Sequence, residues 1–284
     1  GLVQRGDTVA RVAAIAADEF LSGDRMRDLG RARADARFER WEAHSREQRH
    51  DSRLLAYYAM QRDGTADRLV RNRAEPGDAL RDGGAVGATW TEGRWPRKDA
   101  LEFKRPGDRV RLDLGGTYDA LTFAGWVKVD GLDRKYNSLI LTDGYEAGEP
   151  HWQIYEDGRL MFSLTYPADP SPGKMRNYIY YSPVVFDRAN TGRWHHVAVT
   201  YVNQTGAVIH YVDGLEISRE VDPLHQPDRP IVFGPSELGN WGLPTLGHRF
   251  PIRNLNGRID EFAIYSAALS GAEIRAMFEA GRPE

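Results

Sequence analysis

The stretch Asn256–Tyr265, NGRIDEFAIY, lies near the end of a 284-residue chain and carries an acidic pair, Asp260 and Glu261, inside an otherwise strand-like run. The pair reads in three ways: as part of an active site, as a metal ligand, or as the seam where a β-sandwich closes. Side chains on a strand alternate between faces, so Ile259, Glu261, Ala263 and Tyr265 are expected on one face and Asp260, Phe262 and Ile264 on the other. Asp260 then shares a face with two apolar residues. A carboxylate placed there needs backbone N–H groups, an arginine or a cation as partner.

Immediately downstream, Ser270 with Glu273 forms a capping box, Leu269 with Ile274 a hydrophobic staple, and Gly281 a stop. A short C-terminal helix over Ile274, Met277 and Phe278 follows from that pattern. Upstream, from Ser52 onward, short alternating runs recur, among them LTFAGWVKV (121–129), SLILTD (138–143), WQIYE (152–156), LMFSLTY (160–166), NYIYYS (177–182) and WHHVAVTYV (194–202). Asp157-Gly158 and Asp213-Gly214 are hairpin turns, because glycine accepts the positive φ of a tight connection. Many short strands separated by such turns predict an antiparallel sandwich or barrel rather than βαβ units.

Residues 1–50 have a different texture and form a helical leader, with 51–284 as the β-domain. Val9, Val12, Ala13, Ala16 and Phe20 fall at helical spacing. The charged run from Asp24 to Asp51 pairs Arg31 with Asp35 and Glu42 with Arg46 four residues apart, as on an exposed helix. Its apolar stripe is Ala34, Phe38 and Trp41, and the roughly 1 kcal/mol cost of Gly30 in a helix favours a start after it.

Hydrophobic residues make up 41% and charged residues 28% of the chain, as in an ordinary globular protein. A formal net charge of −3 gives no reason to expect nucleic acid as a partner. Cysteine is absent, which removes thiolate catalysis and cysteine-based zinc sites. No apolar run approaches the ~20 residues of a membrane span, and the opening GLVQRGD is not a signal peptide.

Several segments in order, LTFAGWVKVD, HWQIYEDGRLMF, GRWHHVAVTY, HYVDGLEI and NGRIDEFAIYSAALSGAEIRAMFEAG, resemble bacterial laminin-G-like domains of the concanavalin A-like superfamily. The resemblance covers about Asp51 to Glu284. It implies an all-β fold, an antiparallel two-sheet jelly-roll sandwich flanked by the helical leader and the short C-terminal helix. A narrower likeness, in RFERWEAHSREQRHDSRLLAYYAM and GATWTEGRWPRKDALEF, is to FecR-type envelope regulators of planctomycete-like bacteria, in which a laminin-G-like module follows a FecR domain. That likeness implies an extracytoplasmic location, in the periplasm or at the cell surface. Related jelly rolls hold a structural Ca²⁺ near the meeting of first and last strands, and its ligands here are expected from Asp260, Asn72 and Asp67.

The superfamily also contains glycosidases of the laminarinase type, with alternate carboxylates in an E-x-D-x-x-E run. The nearest match, Glu220-Val221-Asp222, continues into Pro223 and lacks the third carboxylate. No G-x-S-x-G, H-E-x-x-H or Walker A motif occurs. The expectation is therefore not an enzyme but a binding module for carbohydrate or a protein surface, the alternative being a structural subunit of a surface layer or filament that self-associates through the leader helix. Ligand residues are expected in two aromatic-rich loops: Tyr145, Glu146, His151 and Trp152 in TDGYEAGEPHW, and Asn240, Trp241 and His248 in GNWGLPTLGHRF. Tyr178 and Tyr180 of NYIYY are expected to be exposed together on one strand face. Trp126 shares parity with Thr122 and Lys128 and is a candidate for the concave face. His195 and His196 point to opposite faces and cannot chelate one ion by themselves.

Overall fold

The computed structural model describes residues 3–283 apart from 63, 65–66, 76–80, 169–172 and 243–251, with side chains from Arg25 onward. Among the described residues the chain runs as α1 (Val3–Gln48), β1 (Leu54–Tyr58), β2 (Leu69–Val70), β3 (Gly83–Val86), β4 (Thr89–Glu92), β5 (Asp99–Phe103), β6 (Arg109–Asp113), β7 (Thr117–Tyr118), β8 (Ala120–Gly131) and β9 (Tyr136–Thr142). It continues as β10 (His151–Tyr155), β11 (Arg159–Pro167), β12 (Met175–Val184), β13 (Trp194–Val202), β14 (Ala207–Val212), β15 (Leu215–Val221), β16 (Ile231–Val232), β17 (Pro235–Leu238), β18 (Asn256–Tyr265) and α2 (Gly271–Gly281).

Two antiparallel sheets stack face to face. The back sheet has the order β15-β14-β13-β8-β18-β5-β4, with β1 also paired to β18, and the front sheet has the order β12-β11-β10-β9-β17-β6-β3-β2. Strands far apart in sequence lie side by side, as in β8 beside β18 and β9 beside β17, so the two layers are wound together as a jelly roll. The expected two-residue turn joins β14 to β15 at Asp213-Gly214, with φ of +49° and +77°, whereas β10 and β11 are joined by three residues, Glu156 to Gly158, with only Gly158 of these at positive φ. Phe123, Trp152 and Phe262 meet between the sheets, with ring centroids 6.0–6.2 Å apart.

NGRIDEFAIY is the whole of β18, at the centre of the back sheet. The register with β8 shifts at two points, between Asn256 and Gly257 at the start of the strand and between Ile259 and Glu261, the second being a β-bulge that takes in Asp260. Ile259, Phe262 and Ile264 all face the inter-sheet core, whereas Ala263 and Tyr265 pack under the helices on the other side. The expected grouping of Asp260 with Phe262 and Ile264 is thus corrected, because the bulge inserts one unpaired residue and moves Asp260 off the inner face.

The outer face of the back sheet is covered by both helices. α1 runs unbroken through Gly30 rather than starting after it. Among its described side chains those from Arg25 to Arg33 are exposed, and the contact with the sheet lies over the last turns. Phe38, Trp41, Ser45 and Gln48, at steps of three and four, are the buried stripe. Phe38 and Trp41 pack around Trp95, while Ile274 and Met277 of α2 and Leu269 just before it complete the layer. Ser270 and Glu273 form the expected capping box at the start of α2. Trp126 does take the parity read from the sequence, but it is buried beneath Phe278 and Arg94 on this covered face, not in a concave groove.

Candidate functional site

The acidic pair proves to be the seat of α1. Glu261 accepts hydrogen bonds from Trp41 Nε1 at 2.7 Å, Tyr57 Oη at 2.7 Å and Arg94 Nη2 at 2.6 Å. Asp260 accepts the Arg94 backbone N–H at 2.7 Å and Arg94 Nη2 at 2.9 Å, and Lys98 Nζ stands 3.0 Å from its Oδ1. Burial pushes the Glu261 carboxyl up, but Arg94, the Tyr57 hydroxyl, Lys98 and the Trp41 indole outweigh it and hold the group below its usual range. Burial likewise lowers the Lys98 ammonium, against the pull of Asp260. Two acids and two bases, all inside the protein, compensate one another.

That arrangement does not fit the Ca²⁺ expected at Asp260, Asn72 and Asp67. The Asp260 carboxylate is already shared by two cationic side chains. Asn72 Oδ1 accepts the N–H groups of Tyr57 and Ala74 and so braces β1, while Asp67 is exposed and its carbonyl accepts Trp90 Nε1. Among the described residues no group of three or more His, Asp or Glu side chains could hold a metal ion.

The open site lies on the opposite side of the molecule, on the outer face of the front sheet. A cleft of about 250 Å³ is floored by His151 and Gln153 of β10 and Met161 and Ser163 of β11. These residues share a face because they alternate with the core residues Trp152, Ile154, Leu160, Phe162 and Leu164. The walls are Tyr145 from the β9–β10 loop, Tyr136 from β9, Trp241 after β17 and Arg253, with Asn177 and Ile179 of β12 at the open edge.

Each wall residue is fixed by neighbours. Tyr145 sits at φ +64°, in the left-handed region that costs a non-glycine residue energy. Its ring lies 4.3 Å from that of His151. His151 Nε2 is 3.0 Å from the Thr142 carbonyl, which can only accept, so Nε2 carries the proton. Burial, helped by the charge of Arg253, lowers the imidazole well below its usual range and keeps it neutral. Trp241 Nε1 donates to the same carbonyl at 2.9 Å. The Arg253 guanidinium is held between Trp241 at 4.1 Å and Tyr136 at 4.7 Å, and burial lowers its pKa to about 10, leaving it charged at neutral pH. On the floor, Gln153 is 1% exposed and its Oε1 has no protein partner. A polar atom left in that state costs about 1–3 kcal/mol unless water or a ligand satisfies it.

The cleft brings together Tyr145, His151 and Trp241 of the expected ligand residues. Trp152 is instead a core residue stacked on Phe123, since it faces inward on β10. Asn240 is a brace: its side chain donates to the carbonyls of Pro106 and Asp108 and accepts the Trp241 N–H. Glu146 is exposed in the turn beside Tyr145, its N–H bonded to Glu149, and His248 lies outside the described residues. Tyr178 and Tyr180 point into the core, so the exposed face of β12 carries Asn177 and Ile179 instead. Gln153 and Arg253 had no signal of their own in the sequence; Gln153 was traceable only as the neighbour of an inward-facing tryptophan.

The class of protein these strands define is a two-sheet antiparallel jelly roll. The chain belongs to the family Laminin_G_3, described as the concanavalin A-like lectin/glucanases superfamily, which matches residues 107–275. No curated protein matches the chain. Among solved structures, the binding domain of botulinum neurotoxin DC, in complex with rat synaptotagmin II, is similar at 13% identity and a TM-score of 0.57, over 81% of this chain and 52% of that one. Domain 4 of AbnA, a GH43 extracellular arabinanase from Geobacillus stearothermophilus in complex with arabinotriose, is similar at 19% identity and a TM-score of 0.50, over 79% of this chain and 98% of that one. A Trypanosoma rangeli sialidase is similar at 13% identity and a TM-score of 0.53, over 80% of this chain. The chain spans 52% of the toxin binding domain and 32% of the sialidase. At these identities the likeness is one of fold.

Proposed function

We propose that the protein is a non-catalytic binding module that takes carbohydrate in the front-sheet cleft, and that it works outside the cytoplasm. The observation that carries this reading is the combination of fixed aromatic walls with a buried, unpartnered amide oxygen on the floor. Aromatic faces take the apolar face of a sugar ring, and Gln153, Ser163 and Arg253 meet its hydroxyls. The volume supports a small occupant, being below the ~300–1,000 Å³ of pockets that enclose drug-sized ligands. Binding without chemistry is supported by the lining: its described residues include no carboxylate, whereas glycoside hydrolysis ordinarily needs two. The structural neighbours add support, one binding arabinotriose and another a protein. The extracytoplasmic placement rests on the sequence resemblance to envelope proteins.

The test is titration of the chain with a panel of neutral and acidic glycans, followed by tryptophan fluorescence and calorimetry. Saturable binding that drops at least tenfold in Trp241→Ala is expected, the equivalent of about 1.4 kcal/mol. New reducing ends would overturn the non-catalytic reading, and binding undisturbed by Trp241→Ala would move the site elsewhere. A second reading, self-association through α1, is favoured by Met26 and Leu29, which are 67% and 54% exposed. Concentration-dependent size that is lost on substituting both by glutamate is its signature.

A further inference from the structure

We propose that the cleft is one part of a longer site, and that the ligand is an oligosaccharide with one unit in the cleft and its neighbours on a row of tyrosines crossing the front sheet. The inference rests on the carbohydrate reading above and adds length to it.

The row begins at a wall of the cleft. Tyr136 contacts Tyr155 with ring centroids 5.6 Å apart and planes at 53°, and Tyr155 contacts Tyr181 at 5.9 Å and 67°. These residues come from β9, β10 and β12, so the row crosses the sheet towards the edge strand at which the cleft is open. All three rings are partly exposed. Their positions are set in advance: the Arg159 guanidinium lies 4.1 Å over Tyr181 and 5.7 Å from Tyr155, and is itself held by Asp157 at 2.8 Å. Lys135 Nζ also lies 5.7 Å from the Tyr155 ring. Rigid aromatic surface loses little conformational entropy when a ligand settles on it, which is why such surfaces recur in recognition sites.

The cleft itself is closed towards β17. Ser138 of β9 donates its N–H to the Arg253 carbonyl at 2.9 Å, fixing the segment that carries Arg253 beside Trp241. The floor instead runs out to Asn177 and Ile179, the latter 40% exposed. A cleft of 250 Å³ closed on one side takes one small unit, and the described aromatic surface continuous with it is the Tyr155–Tyr181 row.

The experiment is a length series on the full chain: arabinan-, xylan-, cellulose-, laminarin- and starch-derived sugars of increasing length from the monosaccharide, titrated by calorimetry. Affinity is expected to rise by about tenfold or more from one unit to three, a stacking contribution of ordinary size. Tyr155→Ala and Tyr181→Ala should lower the trisaccharide-to-monosaccharide affinity ratio, whereas Tyr181→Phe, which keeps the ring, should preserve it. Unfolding midpoints of the three variants separate a lost contact from a misfolded sheet. Equal affinity for all lengths, or a length series untouched by both alanine variants, overturns this inference and leaves the carbohydrate reading standing. Failure of every sugar to bind overturns both.

Discussion

A β-carbon on Gly257 would stand 2.2 Å from the Lys128 carbonyl oxygen, because β8 and β18 approach closely where β18 begins. Backbone is the obstacle, so nothing can swing aside. Gly257→Ala should cost about 1–3 kcal/mol, the usual price of overpacking, seen as a lower urea midpoint. Three residues on, Asp260→Ala would leave Lys98 and Arg94 buried beside a missing partner, a loss of about 3–5 kcal/mol. Because its oxygens are taken by those cations, neither Ca²⁺ nor chelator should move the thermal midpoint of the native chain; a calcium-dependent rise would require ligands other than the three named from the sequence. Sequence alone gave Asp260 the right need, a partner, and left open which one. Arg94 and Lys98 lie more than 160 residues upstream, and no local pattern announces a β-bulge. Trp152 was legible: its parity with Ile154 marks it as inward-facing, but its place in an aromatic, polar run suggested a loop ligand. Tyr178 and Tyr180 were ambiguous, because bulky residues occupy both faces of β12.

Elements show the same division between local and long-range information. The capping box of α2 and the hairpin turns depend on neighbours in sequence and were readable. The seat of α1 depends on contacts between Trp41 and residues as distant as Glu261, so only its stripe could be read. Trp41→Ala should cost about 3–5 kcal/mol through lost packing, and it also removes a donor from a buried carboxylate. Met26→Ala and Leu29→Ala, on the exposed part of the same helix, should stay within about 0.5 kcal/mol in dilute solution. Chemical denaturation of the three variants gives the comparison. At the edge of the front sheet, β12 is guarded by β15 and the residue after it: Asp222 pairs with Arg176, and Glu220 reaches the backbone of Tyr181. Charged groups in that position blunt the pairing of an edge strand with another chain.

At the scale of the whole molecule, three histidines among the described residues are kept neutral by burial: His151 in the cleft, well below its usual range, His196 against Trp126, at about 4, and His210 on β14, at about 3. Unfolding releases them to an ordinary value near 6.5, so below that pH the unfolded chain binds more protons and stability must fall. The loss runs from about pH 6.5 down to each folded value, and for His196 alone is on the order of 3 kcal/mol by pH 4. Glu261 adds to it: its lowered folded value means a contribution present above 4.5 that disappears as pH falls through that folded value. Urea midpoints should therefore decline steadily from pH 7 to pH 4, and a flat profile would contradict the burial of these rings. The sandwich as a class was legible because alternation and turns repeat along the chain. The cleft was half legible, since its loops stand out while its floor is an ordinary strand face.

The helix and the cleft occupy opposite faces of the sandwich, which has a mechanical consequence. A pull applied along α1 enters the protein through Trp41 and Glu261 at the middle of the back sheet. It is borne there by strands paired on both sides, and it reaches the front sheet through the core and through the connections that cross between the sheets. Force on the helix and occupancy of the cleft are to that extent separate, so a ligand held on the front sheet would feel tension last.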